Sequence, residues 1–123
     1  MKKHKLLLVG DEKPLAKALM LKLNDSDFIV DYVDNGTEAY NSIQKNKYDL
    51  VLLDLVLPGM NGFTVLEKTS KNKIPNPILV FSNLSQEEDI QKVMSMGAIG
   101  YLIKSDTSLN ELITYINNYL GKK

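Results

Sequence analysis

The sequence LVLLDLVLPGMNG, residues 50–62, decides the fold of this chain. Four apolar residues precede Asp54, and three more follow it before a turn rich in proline, glycine and asparagine. A run that is apolar at every position, without alternation, is typical of a strand buried on both faces of a parallel sheet. Asp54 is then expected at the carboxyl end of that strand, where open α/β folds place their ligands.

The composition indicates one globular domain over residues 1–123, since 44% of the residues are apolar and 24% are charged. Fifteen basic residues balance fifteen acidic ones. We therefore expect no direct nucleic-acid binding, because nucleic-acid-binding domains usually carry a basic surplus. The absence of cysteine excludes a disulfide framework and thiolate chemistry. The apolar run at 6–9 is too short for a signal peptide or a membrane span, so we expect a cytoplasmic protein without membrane contact.

Short apolar runs alternate along the chain with segments of helical spacing. Strands are predicted at 5–9, 28–33, 48–54, 78–81 and 100–103, and helices at 14–23, 35–45, 63–71, 85–96 and 108–120. Asn35, Ser85 and Ser108 are each followed three residues later by glutamate, which is the pattern of a capping box. Five strands alternating with five helices predict an α/β fold with a doubly wound parallel sheet and right-handed crossovers.

Polar side chains follow four of the predicted strands and should meet at one edge of the sheet. Asp11 follows the first strand, Asp54 the third, Ser82 the fourth and Lys104 the fifth. The two carboxylates suit a hard cation such as Mg²⁺, and the lysine can balance the remaining charge. Such a site would stabilise a phosphoryl group on Asp54, with Ser82 donating a hydrogen bond to one of its oxygens.

These residues resemble those of a response-regulator receiver domain over essentially the whole chain. The matching motifs are LLLVGDE at 6–12, LVLLDLVLPGMNG at 50–62, LVFSN at 79–83 and MGAIGYLIK at 96–104. The resemblance implies a flavodoxin-like (βα)5 fold with strand order 2-1-3-4-5. It also implies a signalling module that is not an enzyme but catalyses its own phosphorylation and dephosphorylation.

The resemblance assigns a role to each residue at the sheet edge. Asp54 is implied to be the phosphoacceptor and a metal ligand. Asp11 and the backbone carbonyl of Val56 are implied to be further Mg²⁺ ligands, and Glu12 is a candidate for another.

The switch residues and the partners are implied in the same way. Ser82 corresponds to the switch hydroxyl, Tyr101 to the aromatic residue that moves with it, and Lys104 to the lysine that contacts the phosphate. A histidine kinase or a phosphotransfer protein would supply the phosphoryl group. An effector protein would bind the face formed by the fourth helix, fifth strand and fifth helix, and a phosphorylation-dependent dimer is compatible with the family.

Three positions depart from the family pattern. Gly10 stands where the first of two adjacent acidic residues is usual, Ser105 replaces the proline after the lysine, and Asn83 replaces a small residue after the switch hydroxyl.

Gly10 and Ser105 support an alternative function, a pseudo-receiver that binds proteins without taking phosphate. An aspartate-nucleophile phosphohydrolase is disfavoured because Val56 stands where a second aspartate is needed. A dinucleotide-binding enzyme lacks its G-x-G-x-x-G motif. Both a stand-alone receiver and a fragment of a longer regulator fit the sequence.

Overall fold

The computed structural model describes residues 4–24 and 28–121, and these form a sheet flanked by helices on both faces. The strands are β1 (His4–Val9), β2 (Phe28–Val33), β3 (Leu50–Leu53), β4 (Ile78–Ser82) and β5 (Gly100–Ile103). The helices are α1 (Lys13–Asn24), α2 (Gly36–Lys45), α3 (Gly62–Lys71), α4 (Glu87–Ser95) and α5 (Leu109–Tyr119). A short 3₁₀ turn, η1 (Lys104–Asp106), joins β5 to α5.

All strand pairs of the sheet are parallel, and the strands lie in the order β2-β1-β3-β4-β5. The predicted α/β class, the doubly wound sheet and the strand order are therefore confirmed. Within the described residues, no helix has the length and apolarity needed to cross a bilayer.

The non-alternating apolar run of β3 is explained by two separate hydrophobic cores. Val51 and Leu53 pack into the core shared with α2, α3 and α4, whereas Leu50 and Leu52 pack into the core shared with α1 and α5. All four side chains are buried. Because both faces of the central strand are covered, a polar residue can only be accommodated where the strand ends, and Asp54 is that residue.

Two helix caps agree with the sequence and one does not. The side chain of Asn35 accepts the Glu38 N–H at 2.9 Å, and Ser108 forms a reciprocal capping box with Glu111. The predicted cap at Ser85 is wrong, because α4 begins at Glu87 and its N-cap, Gln86, makes no side-chain capping bond. Three acidic residues in the first turn, at 87–89, instead favour this end of the helix through its dipole.

The central strand is also shorter than predicted, since it covers Leu50–Leu53 rather than 48–54. Tyr48 lies outside the ladder because its N–H donates to the Asn76 side chain at 2.8 Å. Asn76 is buried and also donates to the carbonyls of Ile43 and Asn46. A side chain therefore replaces the sheet partner at this point, which apolar patterning does not reveal.

Candidate functional site

The carboxyl ends of β1, β3, β4 and β5 enclose a pocket of about 260 Å³. Its lining residues are Asp11, Glu12, Asp54, Val56, Asn83 and Lys104. The structure thus brings together five of the residues singled out from the sequence. It adds Asn83, which the sequence marked only as a departure from the family pattern.

Asp54 is the first residue after β3 and is only 6% exposed. Its backbone N–H donates to the Val9 carbonyl at 3.1 Å, which continues the contact with β1 past the end of the strand. One carboxylate oxygen, Oδ1, accepts the Val56 N–H at 3.1 Å, and the other, Oδ2, accepts from Lys104 Nζ at 2.6 Å. Each oxygen has a second lone pair, so the carboxylate is held in place and can still accept another partner.

Lys104 connects the two acidic residues at the edge of the pocket. Its ammonium contacts Asp54 and the Glu12 carboxylate, and only 10% of its side chain is exposed. Burial lowers the pKa of Lys104, but hydrogen bonds and charges from Asp54 and Glu12 outweigh that cost and raise it above its ordinary value. The lysine is therefore a fixed positive charge beside Asp54 at physiological pH.

The donor set of the pocket fits Mg²⁺. Asp11, Asp54 and Val56 line the same space, so two acidic residues and the third candidate ligand residue surround one pocket. Mg²⁺ in proteins is commonly bound through one or two carboxylates, with water and phosphate oxygens completing the coordination. In residues 4–24 and 28–121, no group of three or more acidic, histidine or cysteine side chains is placed to bind a metal by itself. Glu12, the remaining candidate ligand, is bound to Lys104.

The two candidate switch residues both form hydrogen bonds with the backbone of Leu84. Ser82 is completely buried, and its hydroxyl accepts the Leu84 N–H at 3.4 Å. The phenol of Tyr101 donates to the Leu84 carbonyl. Burial, followed by the charges of Asp89 and Asp54, raises the pKa of Tyr101 above 10.0 and keeps the phenol a donor. Movement of this one peptide segment would therefore affect both side chains.

The turn after Asp54 requires glycine at two positions for different physical reasons. Gly59 has a φ of +72°, a left-handed conformation that glycine adopts without steric cost. Gly62 begins α3 directly against the backbone of Asp54, and a Cβ at this position would lie 2.4 Å from the Asp54 carbonyl oxygen. The P-G-x-x-G spacing thus lets α3 start in contact with the segment that carries Asp54.

A family model for the response regulator receiver domain matches residues 6–117. The chain belongs to this family. Solved receiver domains agree in fold and length. The Francisella response regulator 1452 receiver domain superposes with a TM-score of 0.88 at 27% identity, covering 97% of this chain and 98% of that one. The BeF3-activated N-terminal receiver domain of Klebsiella pneumoniae RstA gives a TM-score of 0.84 at 28% identity, covering 94% and 97%.

The curated relatives are transcriptional regulators and are longer than this chain. The transcriptional regulatory protein CusR of Escherichia coli is 36% identical over 100 residues, which is 81% of this chain and 44% of CusR. The probable transcriptional regulator ycf29 of Pyropia yezoensis is 35% identical over 121 residues, which is 97% of this chain and 54% of that protein. The chain spans about half the length of these relatives. It is a receiver domain of the two-component response regulator family.

Two contacts of the site were not predicted from the sequence. Glu12 was considered as a candidate metal ligand, and its carboxylate, although more than half exposed, pairs with Lys104. Asn83 contacts Ser105 across two loops. Both contacts join residues from different strand ends, and only the register of the sheet determines which of these side chains meet. From the sequence alone, only the polar character of these residues indicated that they could form hydrogen bonds or ion pairs at the sheet edge.

Proposed function

We propose that residues 1–123 act as one receiver domain that accepts a phosphoryl group on Asp54. The observation that carries this proposal is the position of Asp54, nearly buried at the end of β3, bound to Lys104 and facing the pocket shared with Asp11 and Val56. A carboxylate held in this way can act as a nucleophile toward phosphorus.

In the proposed transfer, an Asp54 oxygen forms a bond to phosphorus while the bond from phosphorus to the donor breaks. A histidine kinase or a phosphotransfer protein would provide a phosphohistidine, and its ring nitrogen would keep the electron pair of the broken bond. Lys104 would offset negative charge on the transferred group, because its ammonium already lies 2.6 Å from Asp54 Oδ2. Mg²⁺ held by Asp11, Asp54 and the Val56 carbonyl would add positive charge at the same place.

The output step would begin at Ser82. A phosphoryl group brings about −1.5 to −2 charges, and a hydroxyl donor next to it is attracted to its oxygens. Ser82 now accepts from Leu84, so turning toward the phosphoryl group would release Leu84 and the Tyr101 phenol bound to it. We propose that this rearrangement changes the face formed by α4, β5 and α5. That face would bind an effector protein or a second phosphorylated copy of the chain.

The phosphoacceptor assignment is tested with acetyl phosphate and Mg²⁺ by intact-mass spectrometry. The wild-type chain should gain one phosphoryl group, and Asp54→Asn should gain none. Asp49→Asn is the matched control, because Asp49 lies just before the same strand, outside the pocket. An adduct that persists in Asp54→Asn would contradict the assignment.

A second candidate function is favoured by Gly10, which leaves the site with one acidic residue fewer than its family usually has. In this alternative, the chain is a pseudo-receiver that binds its partner without phosphorylation. Failure of the wild-type chain to form an adduct at saturating Mg²⁺, together with an unchanged mass after incubation with phosphohistidine donors, would favour the pseudo-receiver.

A further inference from the structure

Two residues that depart from the family pattern are hydrogen-bonded to each other. Asn83 Oδ1 accepts the backbone N–H of Ser105 at 3.0 Å. A proline at position 105 has no N–H and leaves this side chain without its donor. Asparagine at 83 and a non-proline residue at 105 are therefore chemically matched.

The contact lies just beyond the end of the sheet. Ser82 pairs with Ile103 at the last step of the β4–β5 ladder, so Asn83 and Lys104 are the next residues along the two strands. The N–H that Asn83 binds belongs to the peptide that joins Lys104 to Ser105. On the other side, the Lys104 carbonyl accepts the Thr107 N–H at 3.3 Å as η1 begins. Both the N–H and the carbonyl of the peptide group that joins Lys104 to Ser105 are therefore hydrogen-bonded.

We propose that Asn83 is a positioning residue for Lys104. By holding the peptide between residues 104 and 105, Asn83 sets the direction in which the lysine side chain leaves the backbone, toward Asp54 and Glu12. The inference rests on the proposed function, because the lysine is positioned for a phosphoryl group on Asp54. Asn83 itself acts through the backbone and makes no contact with the reacting atoms in this role.

The position of Lys104 is sensitive to its backbone for a physical reason. A lysine side chain has four rotatable bonds, and ordering it costs conformational entropy. Burial on all but 10% of its surface, with two carboxylates as partners, leaves one narrow place for the ammonium. Charge stabilisation of a transferring group falls off quickly when the charged partner is displaced, so a loosened backbone should slow phosphorylation.

The first measurement is the hydrogen-exchange rate of the Ser105 amide, which is monitored by NMR in the whole chain. Asn83→Ala should speed exchange of this amide about three- to fivefold, which is what the loss of one solvent-exposed hydrogen bond implies. Ser85→Ala, at an exposed position in the same loop, is the matched control and should leave the Ser105 amide unchanged. Equal exchange rates in wild type and Asn83→Ala would overturn the proposal.

The second measurement is the phosphorylation rate with two small donors, acetyl phosphate and phosphoramidate. If Asn83 acts through Lys104, then Asn83→Ala should slow both reactions by the same factor, about three- to fivefold. In a Lys104→Met background, Asn83→Ala should have less than about a twofold effect, because no ammonium remains to be positioned. A merely structural role would lower the melting temperature without this dependence on Lys104.

The outcomes separate this inference from the proposed function. A donor-dependent effect, or one that persists in Lys104→Met, would show that Asn83 contacts the donor directly, and the positioning role would be wrong. Amide exchange needs no phosphoryl chemistry. A chain that is never phosphorylated, but in which Asn83→Ala speeds exchange at Ser105, would refute the phosphoacceptor function while leaving the contact between the loops established.

Discussion

Gly10 is the single residue that most changes the chemistry expected of this site. A Cβ built on it would meet nothing closer than Asp54 Cβ, at 4.0 Å, which is ordinary van der Waals contact. Position 10 can therefore carry a Cβ without displacing its neighbours, and that atom would lie beside the proposed phosphoacceptor. The glycine is not required by the fold at this point.

Replacing Gly10 with aspartate should therefore tighten Mg²⁺ binding. A carboxylate about 5 Å from the ion, in a well-solvated pocket, would contribute roughly 2–3 kcal/mol before its own desolvation is subtracted. The expected gain in affinity is about five- to thirtyfold, measured by titration calorimetry. Asn41→Asp, which adds the same charge on the exposed surface of α2, is the control and should have little effect.

Glu12 provides the complementary test at the same scale. Since its carboxylate binds Lys104, Glu12→Gln should change Mg²⁺ affinity by less than about twofold. A large loss in Glu12→Gln would show that Glu12 leaves the lysine and binds the metal. Equal affinities of wild type and Gly10→Asp would show that the missing acid does not limit binding.

At the scale of elements, the junction between β3 and α3 depends on Gly62. A Cβ there would lie 2.4 Å from the Asp54 carbonyl oxygen and 2.5 Å from Leu55 Cα, and both are backbone atoms that cannot turn aside. Glycine to alanine in a helix ordinarily stabilises by up to about 1 kcal/mol, but here the steric conflict should win. We expect Gly62→Ala to lower the free energy of unfolding by about 3 kcal/mol, measured in urea.

Gly10→Ala is the control for this prediction, because its new Cβ has room. It should change the free energy of unfolding by no more than about 0.5 kcal/mol. A stability of Gly62→Ala equal to that of wild type would mean that α3 can move away from Asp54 without cost.

Tyr48 lies two residues before β3 and ties the chain there to β2, because its phenol donates to Asp31 at 2.9 Å. Burial, then the hydrogen bond and charge of Asp31, raise the pKa of Tyr48 from 10.0 to about 12. The folded state therefore keeps this proton at pH values where the unfolded state releases it. The resulting stabilisation is complete below pH 10 and is lost between pH 10 and about 12.

Tyr48→Phe should accordingly flatten the fall of stability in that alkaline range. Each pH unit is worth about 1 kcal/mol for one such group, so the difference should be visible in urea unfolding at pH 10 and pH 11. At neutral pH the variant should be less stable than wild type, because Asp31 loses its donor. An alkaline slope identical to that of wild type would contradict the role of this phenol.

The elements were predictable to the extent that apolar pattern determines them. The non-alternating run before Asp54 is explained by burial in two cores, and the same reasoning fixes the sheet class. The prediction of a cap at Ser85 was wrong because α4 begins at Glu87, where acidic side chains interact with the helix dipole. The predicted start of β3 was wrong because the Asn76 side chain replaces the sheet partner of Tyr48. The convergence at the sheet edge followed from topology. The pairing of Glu12 with Lys104 required the three-dimensional register.

For the molecule as a whole, the proposed switch predicts a response far from Asp54. Beryllofluoride, a mimic of the phosphoryl group, should shift amide resonances along α4, β5 and α5 in NMR spectra of the wild-type chain. Ser82→Ala should confine the shifts to the loops next to Asp54, because the buried hydroxyl links the site to Leu84 and Tyr101. Shifts that are confined to those loops in wild type would contradict the proposed output face.

The proposed acceptor and its lysine follow β3 and β5, the switch hydroxyl belongs to the last residue of β4, and Asp11 follows β1. They become neighbours only when β1, β3, β4 and β5 are paired in register. In a chain whose sheet has opened, Asp54 is an ordinary aspartate in water, with neither the nearby ammonium nor the second carboxylate. Only a chain with an intact sheet could therefore undergo the proposed phosphorylation. A damaged or partly unfolded copy would stay unphosphorylated and would not produce a false signal.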